Sequence, residues 1–171
     1  MTFGLYVTIL TDKTKKQFMS GISLLVQKYD NEFVPPLSSR DSASNTSLRD
    51  CNNDNISDYI ESMKSQDFIV VFDKDNKVVG FLSYVHKEVC CIDCNYVSTI
   101  IVDEDYREQG VAKELYSVLE NLSKLPIIVR TWSTNYKNRS ILSNLGYDCI
   151  KTIKDDRGVG IDTLYFVQYQ I

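Results

Sequence analysis

The stretch YREQGVAKELYSVL, from Tyr106 to Leu119, combines basic side chains, one glycine and a regular apolar pattern. Its apolar residues recur at helical spacing, which predicts an amphipathic helix that begins at Val111. The first N–H groups of a helix have no partner within it, so the preceding turn can present donors to an anion. Gly110 allows a close approach to the backbone, and Arg107 and Lys113 place positive charge on both sides. The predicted anion-binding residues are Arg107, Glu108, Gln109, Gly110, Val111, Ala112 and Lys113.

This turn suits a diphosphate, but a plain glycine turn before a core helix would show the same spacing. The stretch lacks the G-K-[ST] of a Walker loop and the G-x-G-x-x-G of dinucleotide folds. Both interpretations stay open on spacing alone.

The elements that must hold this turn alternate between strands and helices. Alternating β-branched runs and helical spacing predict the order β α α β β β α β α β β. A strand over 96–102 enters the turn and another over 127–132 follows its helix, which gives one βαβ crossover among antiparallel hairpins. The pattern predicts an α/β (α+β) fold: a mixed, mostly antiparallel central sheet of six to seven strands with helices on both faces. The other predicted strands cover 4–10, 68–72, 78–86, 147–153 and 162–171, and the other helices begin near Thr14, Ile56 and Asn135.

One segment has little periodicity. The residues from Phe33 to Asn55 are rich in Pro, Ser, Asn and Asp, which predicts a long loop or mobile flap. Its Arg40 and Arg49 are candidates to meet a substrate carboxylate, or are simply exposed. Without repeats or linkers, the chain is expected to form a single domain over residues 1–171.

Composition excludes several classes of protein. The 171 residues carry a net charge of -4, so there is no basic field for a nucleic acid. No apolar run approaches the roughly 18 residues of a membrane helix, and the N-terminus lacks the features of a signal peptide. Five cysteines are an odd number, which predicts reduced thiols rather than a disulfide framework. We therefore expect a cytoplasmic protein that binds neither nucleic acid nor membrane.

A second group of residues has ligand-like spacing. His86, Cys90, Cys91 and Cys94 form H-x3-C-C-x2-C, and such nitrogen and sulfur ligands can bind zinc. On extended strands, however, Cys90 and Cys91 would point to opposite faces. The prediction is that the chain holds no metal.

Two motifs resemble those of the GCN5-related N-acetyltransferases (GNAT). The R-x-x-G-x-A of Arg107, Gly110 and Ala112 is similar to that family's acyl-CoA signature, R/Q-x-x-G-x-G/A. Asn135 lies eleven residues before Gly146-Tyr147, similar to the family's asparagine-to-Gly-Phe spacing. The motifs cover roughly residues 98–147, and the element order extends the resemblance over most of the chain.

The resemblance implies a GNAT-like acyl-CoA N-acyltransferase fold with acetyl-CoA as co-substrate. The strand Ile100, Ile101 and Val102 would pair with the pantetheine arm, and the pyrophosphate would lie on the helix entrance. An N–H near Ile101 would polarise the thioester carbonyl in a cleft between splayed strands. Asn135 would lie beside the cofactor, or serve only as a helix N-cap. The implied reaction is direct attack of a primary amine on acetyl-CoA in a ternary complex.

The sequence departs from the family at one catalytic position. Leu142 stands where many members place a tyrosine that protonates the leaving thiolate. Tyr136, Ser140 or Tyr147 would replace it, or water would, unless these side chains only pack.

Proton removal from the amine is assigned to the charged turn KDDRGVG and its surroundings. Asp156 or Asp162 would hold or deprotonate the amine, unless this segment is only a solvated turn. The sequence leaves the acceptor open between small-molecule and peptide amines, and it allows a homodimer. The alternative function is a non-catalytic acyl-CoA-binding sensor, which Leu142 favours.

Overall fold

A computed structural model describes residues 4–39 and 56–170, which contain seven strands and four α-helices. The strands are β1 (Leu5–Ile9), β2 (Asp67–Asp73), β3 (Val78–Val89), β4 (Ile92–Val102), β5 (Ile127–Trp132), β6 (Asp148–Ile153) and β7 (Thr163–Gln168). The α-helices are α1 (Asp12–Lys28), α2 (Ile56–Met63), α3 (Val111–Leu122) and α4 (Tyr136–Asn144).

All strands join one mixed sheet in the order β1-β2-β3-β4-β5-β7-β6. Each neighbouring pair is antiparallel except β4 and β5, which are parallel and connected through α3. A parallel pair needs a crossover connection, and the long amphipathic helix α3 provides it. The predicted fold class, element order and βαβ unit are confirmed.

The sheet separates its two largest hydrophobic cores because strand side chains alternate between faces, and a smaller cluster surrounds Tyr96 and Tyr165. Along β2, Ile69 and Val71 face one core and Phe68 and Val70 the other. The first core is completed by α3 and α4, with Val111, Leu115, Tyr116, Leu119 and Leu142. The second is completed by α1 and α2, with Phe18, Ile22, Leu25, Val26, Tyr59 and Met63.

The first helix begins earlier than predicted. Thr11 is the N-cap of α1, and Thr14 Oγ1 accepts a hydrogen bond from the Thr11 N–H at 2.9 Å. Thr14 therefore occupies the third helical position and satisfies the cap backbone, whereas the sequence prediction made it the start of the helix.

The third and fourth strands are longer than predicted and meet at a two-residue turn. Cys90 and Cys91 form that turn with φ of 53° and 61°, between the paired residues Val89 and Ile92. Positive φ at both central residues is typical of a tight hairpin. The two cysteines therefore lie in a turn and not on extended strands. The argument that they would point to opposite faces of a strand, and so could not both bind zinc, does not apply.

The predicted ligand group does not assemble around a metal. His86 Nε2 lies 2.7 Å from Asp93 Oδ1, while Cys94 is buried. Within residues 4–39 and 56–170, no group of three or more His, Cys, Asp or Glu side chains is placed to hold a metal ion.

The predicted loop is described only in part. Short 3-10 helices cover Asp30–Glu32 and Leu37–Ser39. Residues 40–55, with Arg40 and Arg49, lie outside the described residues. In the described part of the chain, no helix has the length and apolar character needed to cross a membrane.

Candidate functional site

A β-bulge opens the sheet between β4 and β5. The register between β3 and β4 shifts so that Ser98 is an extra residue on β4. The pairing of β4 with β5 ends at the neighbouring pair Val97 and Val129. Beyond this point β4 continues along β3 alone, while β5 continues along β7. A bulge bends and twists its strand, so one edge of β4 becomes open, as the resemblance implied.

The direction of the β4 amides shows which of its N–H groups face the open edge. The Asp103 N–H donates to the Val79 carbonyl at 2.8 Å, so Asp103 faces β3. Hydrogen-bonding direction alternates along an antiparallel strand, and the Ile101 amide therefore also faces β3. Ile100 and Val102 direct their backbone groups to the open edge. The oxyanion donor was predicted near Ile101, and in this geometry the N–H that faces the open edge there is that of Ile100.

The entrance of α3 has the conformation that the motif predicted. Gly110 is the N-cap with φ of 83° in the left-handed region, and the first intrahelical bond joins the Glu114 N–H to the Gly110 carbonyl. The N–H groups of Val111, Ala112 and Lys113 therefore precede the first intrahelical bond. A Cβ on Gly110 would meet nothing within 4 Å, so glycine is favoured here by its φ and not by lack of space.

Arg107 does not point its charge at this entrance. Its terminal nitrogens pair with both oxygens of Glu32 at 3.0 and 2.9 Å, and its Nε donates to the Val102 carbonyl at 2.8 Å. The guanidinium also lies 4.7 Å from the centre of the Tyr29 ring. The positive charge that Arg107 was predicted to supply at the entrance is therefore paired with Glu32, and Lys113 is the exposed cation of the first helical turn.

A cleft of about 680 Å³ runs from the open edge of β4 to the start of α4. The predicted residues that line it are Ile100, Ile101, Val102, Arg107, Glu108, Gly110, Val111, Ala112, Lys113, Asn135 and Tyr136. Gln109 is not among the described residues of the wall, because its side-chain amide donates to the Asp105 carbonyl at 3.0 Å. Glu108, with φ of 62°, holds Lys137 at 3.3 Å on the rim.

Asn135 is the N-cap of α4, and its predicted place beside the cofactor stays a prediction. Asn135 Oδ1 accepts a hydrogen bond from the Asn138 N–H at 3.3 Å and so begins α4. This contact fixes the amide group at the cleft wall.

The candidate proton donors separate into two groups. Tyr136, 69% exposed, and Ser140 both line the cleft. Tyr147 is buried with its ring centroid 5.9 Å from that of Tyr116, and burial raises the pKa of its phenol. Leu142 is buried in the core between α4 and the sheet. Among the predicted substitutes, only Tyr136 and Ser140 are therefore placed to meet a ligand.

Asp162 is bound within the turn between β6 and β7. Its Oδ2 accepts from Lys154 Nζ at 2.7 Å and its Oδ1 from the Asp155 N–H at 3.1 Å. The hydrogen bond from Lys154 lowers the pKa of this carboxyl, which makes it a weaker base. The side chain is also not among the described residues of the cleft wall, so these contacts do not support the prediction that Asp162 holds or deprotonates the amine.

Asp156 lies behind the wall rather than in it. Its Oδ2 accepts from Thr163 Oγ1 at 2.6 Å, and Thr163 Oγ1 in turn accepts from Arg157 Nε at 2.9 Å. The Arg157 guanidinium lies 5.1 Å from the centre of the Trp132 ring, and Trp132 lines the cleft. Asp156 therefore reaches the cleft through other side chains, and the prediction that it meets the amine directly does not fit.

Eight cleft residues were missed from the sequence: Tyr29, Glu32, Phe33, Tyr106, Trp132, Lys137, Asn138 and Ile141. The first three lie at or just after the end of α1, far along the chain from the motif, and no local pattern marks them. Trp132 is the last residue of β5. The predicted separation of this strand from β4 could have indicated that its side chain faces the cleft.

The sequence matches one family model, that of the acetyltransferase (GNAT) family, over residues 29–147. This range contains β4, the α3 entrance and all of α4. No curated protein matches the chain.

Solved structures share the whole fold at low sequence identity. An aminoglycoside 6'-acetyltransferase type Ii has a TM-score of 0.72 and 14% identity, with 97% of each chain covered. An aminoglycoside 6'-N-acetyltransferase complexed with coenzyme A has a TM-score of 0.70 and 12% identity, also with 97% of each chain covered. The ribosomal-protein-S5-alanine acetyltransferase of Vibrio fischeri has a TM-score of 0.68 and 14% identity, covering 99% of this chain and 95% of its own.

Proposed function

The chain belongs to the acetyltransferase (GNAT) family, and from this premise we propose that it is an N-acetyltransferase that transfers the acetyl group of acetyl-CoA to a primary amine by direct attack in a ternary complex. One observation carries the proposal: the open edge of β4 leads along a single cleft to the backbone donors at the start of α3.

The acyl donor fits this cleft in two parts. The backbone groups of Ile100 and Val102 offer the pantetheine arm the pairing of a neighbouring strand. The amides from Gly110 to Lys113 offer donors to the diphosphate, and the helix dipole adds a favourable field. The coenzyme A in one structural neighbour supports this assignment.

Attack by a neutral amine forms a tetrahedral oxyanion at the thioester carbon. The Ile100 N–H, beside the bulge, is the backbone donor that stabilises this charge, as preorganised N–H groups do in acyl transfer. The C–S bond then breaks and the thiolate leaves. Tyr136 is the proposed proton donor to that thiolate, because its exposed hydroxyl shares the wall with Asn135.

The proton of the amine leaves through water in this proposal. The acidic side chains of the described cleft wall are Glu32 and Glu108, and each is paired with a cation, Arg107 and Lys137 respectively. Binding both reactants in line supplies acceleration without a dedicated base.

The proposed acceptor is a small-molecule or peptide amine. Structural neighbours are named as acetyltransferases of aminoglycosides and of a ribosomal-protein alanine, which supports both classes. The chain is proposed to act in the cytoplasm.

A second function, a non-catalytic acyl-CoA sensor, is favoured by one observation. Leu142, at the position of the family's tyrosine, is fully buried and supplies no proton donor. Such a protein would bind acetyl-CoA and release no thiol.

Two measurements separate these functions. Thermal unfolding with acetyl-CoA tests binding, since a ligand at about one hundred times its Kd adds roughly 2.7 kcal/mol to stability. Release of free CoA with panels of polyamines, aminoglycosides and peptides then tests transfer. Stabilisation with thiol release supports the enzyme, stabilisation without it across all panels supports the sensor, and the absence of stabilisation contradicts both.

A further inference from the structure

The segment Glu32, Phe33 and Val34 is bound at its two ends by two arginines, and Glu32 and Phe33 line the cleft. At one end, Glu32 forms its two-point ion pair with Arg107, which follows β4. At the other end, the Val34 carbonyl accepts from the Arg157 terminal nitrogen at 2.7 Å. We call residues 32–34 the strap.

The two arginines belong to opposite walls. Arg107 Nε is bound to the Val102 carbonyl at the end of β4. Arg157 lies over Trp132, at the end of β5, and its Nε donates to Thr163 of β7. The strap therefore connects the ends of the two strands, beyond the last residues that pair with each other, and three residues of chain span at most roughly 11 Å.

Several further contacts fix the Arg107 end. The Glu104 N–H donates to the Tyr29 hydroxyl at 2.8 Å, and Lys28 pairs with Glu104 at 3.0 Å. These contacts hold the end of α1 against the turn that leads to α3. Between the two ends, Phe33 lines the cleft and its ring lies 6.2 Å from that of Tyr59.

Arg107 has few donors left for a ligand. A guanidinium has five N–H donors in a fixed plane, and three of them are used by Glu32 and Val102. Two donors remain, so a diphosphate would have to bind a guanidinium that is already held in a two-point carboxylate pair, which is a strong geometry.

We propose that Arg107 and Arg157 are positioning residues that hold the strap across the cleft, and that Arg107 does not bind the diphosphate of the acyl donor. The strap then forms the wall that the acceptor must pass, with Phe33 as its side chain in the cleft. The identity of the ligand rests on the proposed function, whereas the strap itself does not.

Hydrogen exchange of the ligand-free protein tests the strap directly. Arg107→Gln and Glu32→Gln should each speed exchange in residues 32–34 by about fivefold, the upper range for a partly exposed ion pair. The double variant should be no faster than either single one, because both changes remove the same contact. Arg107→Lys keeps the positive charge but loses the planar guanidinium that binds the carboxylate at two points. Its exchange rates in residues 32–34 should resemble those of Arg107→Gln. Arg157→Lys should speed the same exchange from the other end.

The matched control is Glu61→Gln, which removes an exposed ion pair with Lys64 on α2. It should leave exchange of the strap unchanged. Additive effects of Glu32 and Arg107, or wild-type exchange in Arg107→Gln, would overturn the strap whether or not coenzyme A binds.

Binding of two ligands tests the second part of the proposal. Coenzyme A contains the diphosphate and pantetheine lacks it, so Arg107→Gln should weaken both by the same factor. Lys113→Gln should weaken coenzyme A alone. A loss of tenfold or more for coenzyme A with pantetheine unchanged in Arg107→Gln, about the value of one charge-assisted phosphate contact, would make Arg107 a diphosphate ligand and overturn this assignment. If wild-type protein binds neither ligand, the proposed function fails, and the exchange experiment still decides the strap.

Once an acceptor is found, the role of the strap predicts that changes in Phe33 affect KM and acceptor selectivity but not kcat. Phe33→Ala should change KM and selectivity among amines of different size, with kcat for the smallest amine retained. Unchanged selectivity across a size series would remove the strap from acceptor recognition.

Discussion

The hydroxyl of Tyr116 in α3 donates a hydrogen bond to Asn138 Oδ1 in α4 at 3.0 Å. Tyr116 is fully buried, so this bond ties together the two helices whose N-termini face the cleft. Tyr116→Phe should lower the free energy of unfolding by about 1 kcal/mol, the net value of a typical buried hydrogen bond. Urea denaturation measures the change.

The control for this change is Tyr6→Phe, since Tyr6 is 53% exposed on the edge strand β1. A surface change of this kind should alter stability by less than about 0.5 kcal/mol. Equal losses in the two variants would contradict a structural role for the bond between α3 and α4.

Alanine substitutions at Gly110 and Gly146 can separate the effect of backbone strain on stability from an effect on coenzyme A binding. Their φ values are 83° and 81°, and an added Cβ meets nothing within 4 Å at either position. Alanine at either site should therefore cost about 1 to 2 kcal/mol, the strain of a left-handed residue with a Cβ. Thermal unfolding should show similar losses for both variants.

Only one of these two variants should affect coenzyme A. Gly110→Ala places a methyl group beside the amides proposed to receive the diphosphate, and should weaken binding about tenfold, or about 1.4 kcal/mol. Gly146→Ala, at the end of α4, should bind as the wild type does. Calorimetry measures both, and equal affinities would remove the α3 entrance from the binding site.

The parts of the site that depend on local pattern were predictable from the sequence. The apolar spacing of α3 and the glycine before it follow from periodicity and φ preference, which act over a few residues. The N-cap at Asn135 is local in the same sense. The fold class followed because one crossover between hairpins leaves few topologies.

The partners of the charged side chains were not predictable. Glu32 and Arg107 are 75 residues apart in the chain, and no local rule relates them. The same limit explains Asp162: its residue type suits a base, but its partner Lys154 is set by the turn between β6 and β7. Strand ends were also missed, because β3 and β4 extend into a polar hairpin that alternation alone did not mark.

Asp162 provides a test of the turn through pH. The hydrogen bond from Lys154 lowers the pKa of this carboxyl, so the folded protein favours its charged form. The stabilisation is then present above the ordinary aspartate pKa of about 3.9 and is lost as pH falls through the lowered value. Asp162→Asn should reduce Tm at neutral pH, and the difference from wild type should shrink in acid.

Turnover provides the matching functional measurement for Asp162. Because its carboxyl is bound to Lys154 and is not in the described cleft wall, Asp162→Asn should keep the wild-type kcat with any acceptor found. A large fall in kcat with unchanged Tm would show that the Asp162 carboxyl takes part in the mechanism.

Trp132 is the single tryptophan of the chain and reports on the cleft. It lines the cavity at the end of β5, where coenzyme A would replace water against the indole. Titration with coenzyme A should therefore give a saturable change in tryptophan emission, with the same Kd as calorimetry. Trp132→Phe should abolish the signal while calorimetric binding remains. Binding seen by calorimetry with no change in wild-type emission would place the ligand away from Trp132, and so away from the cleft between β4 and β5.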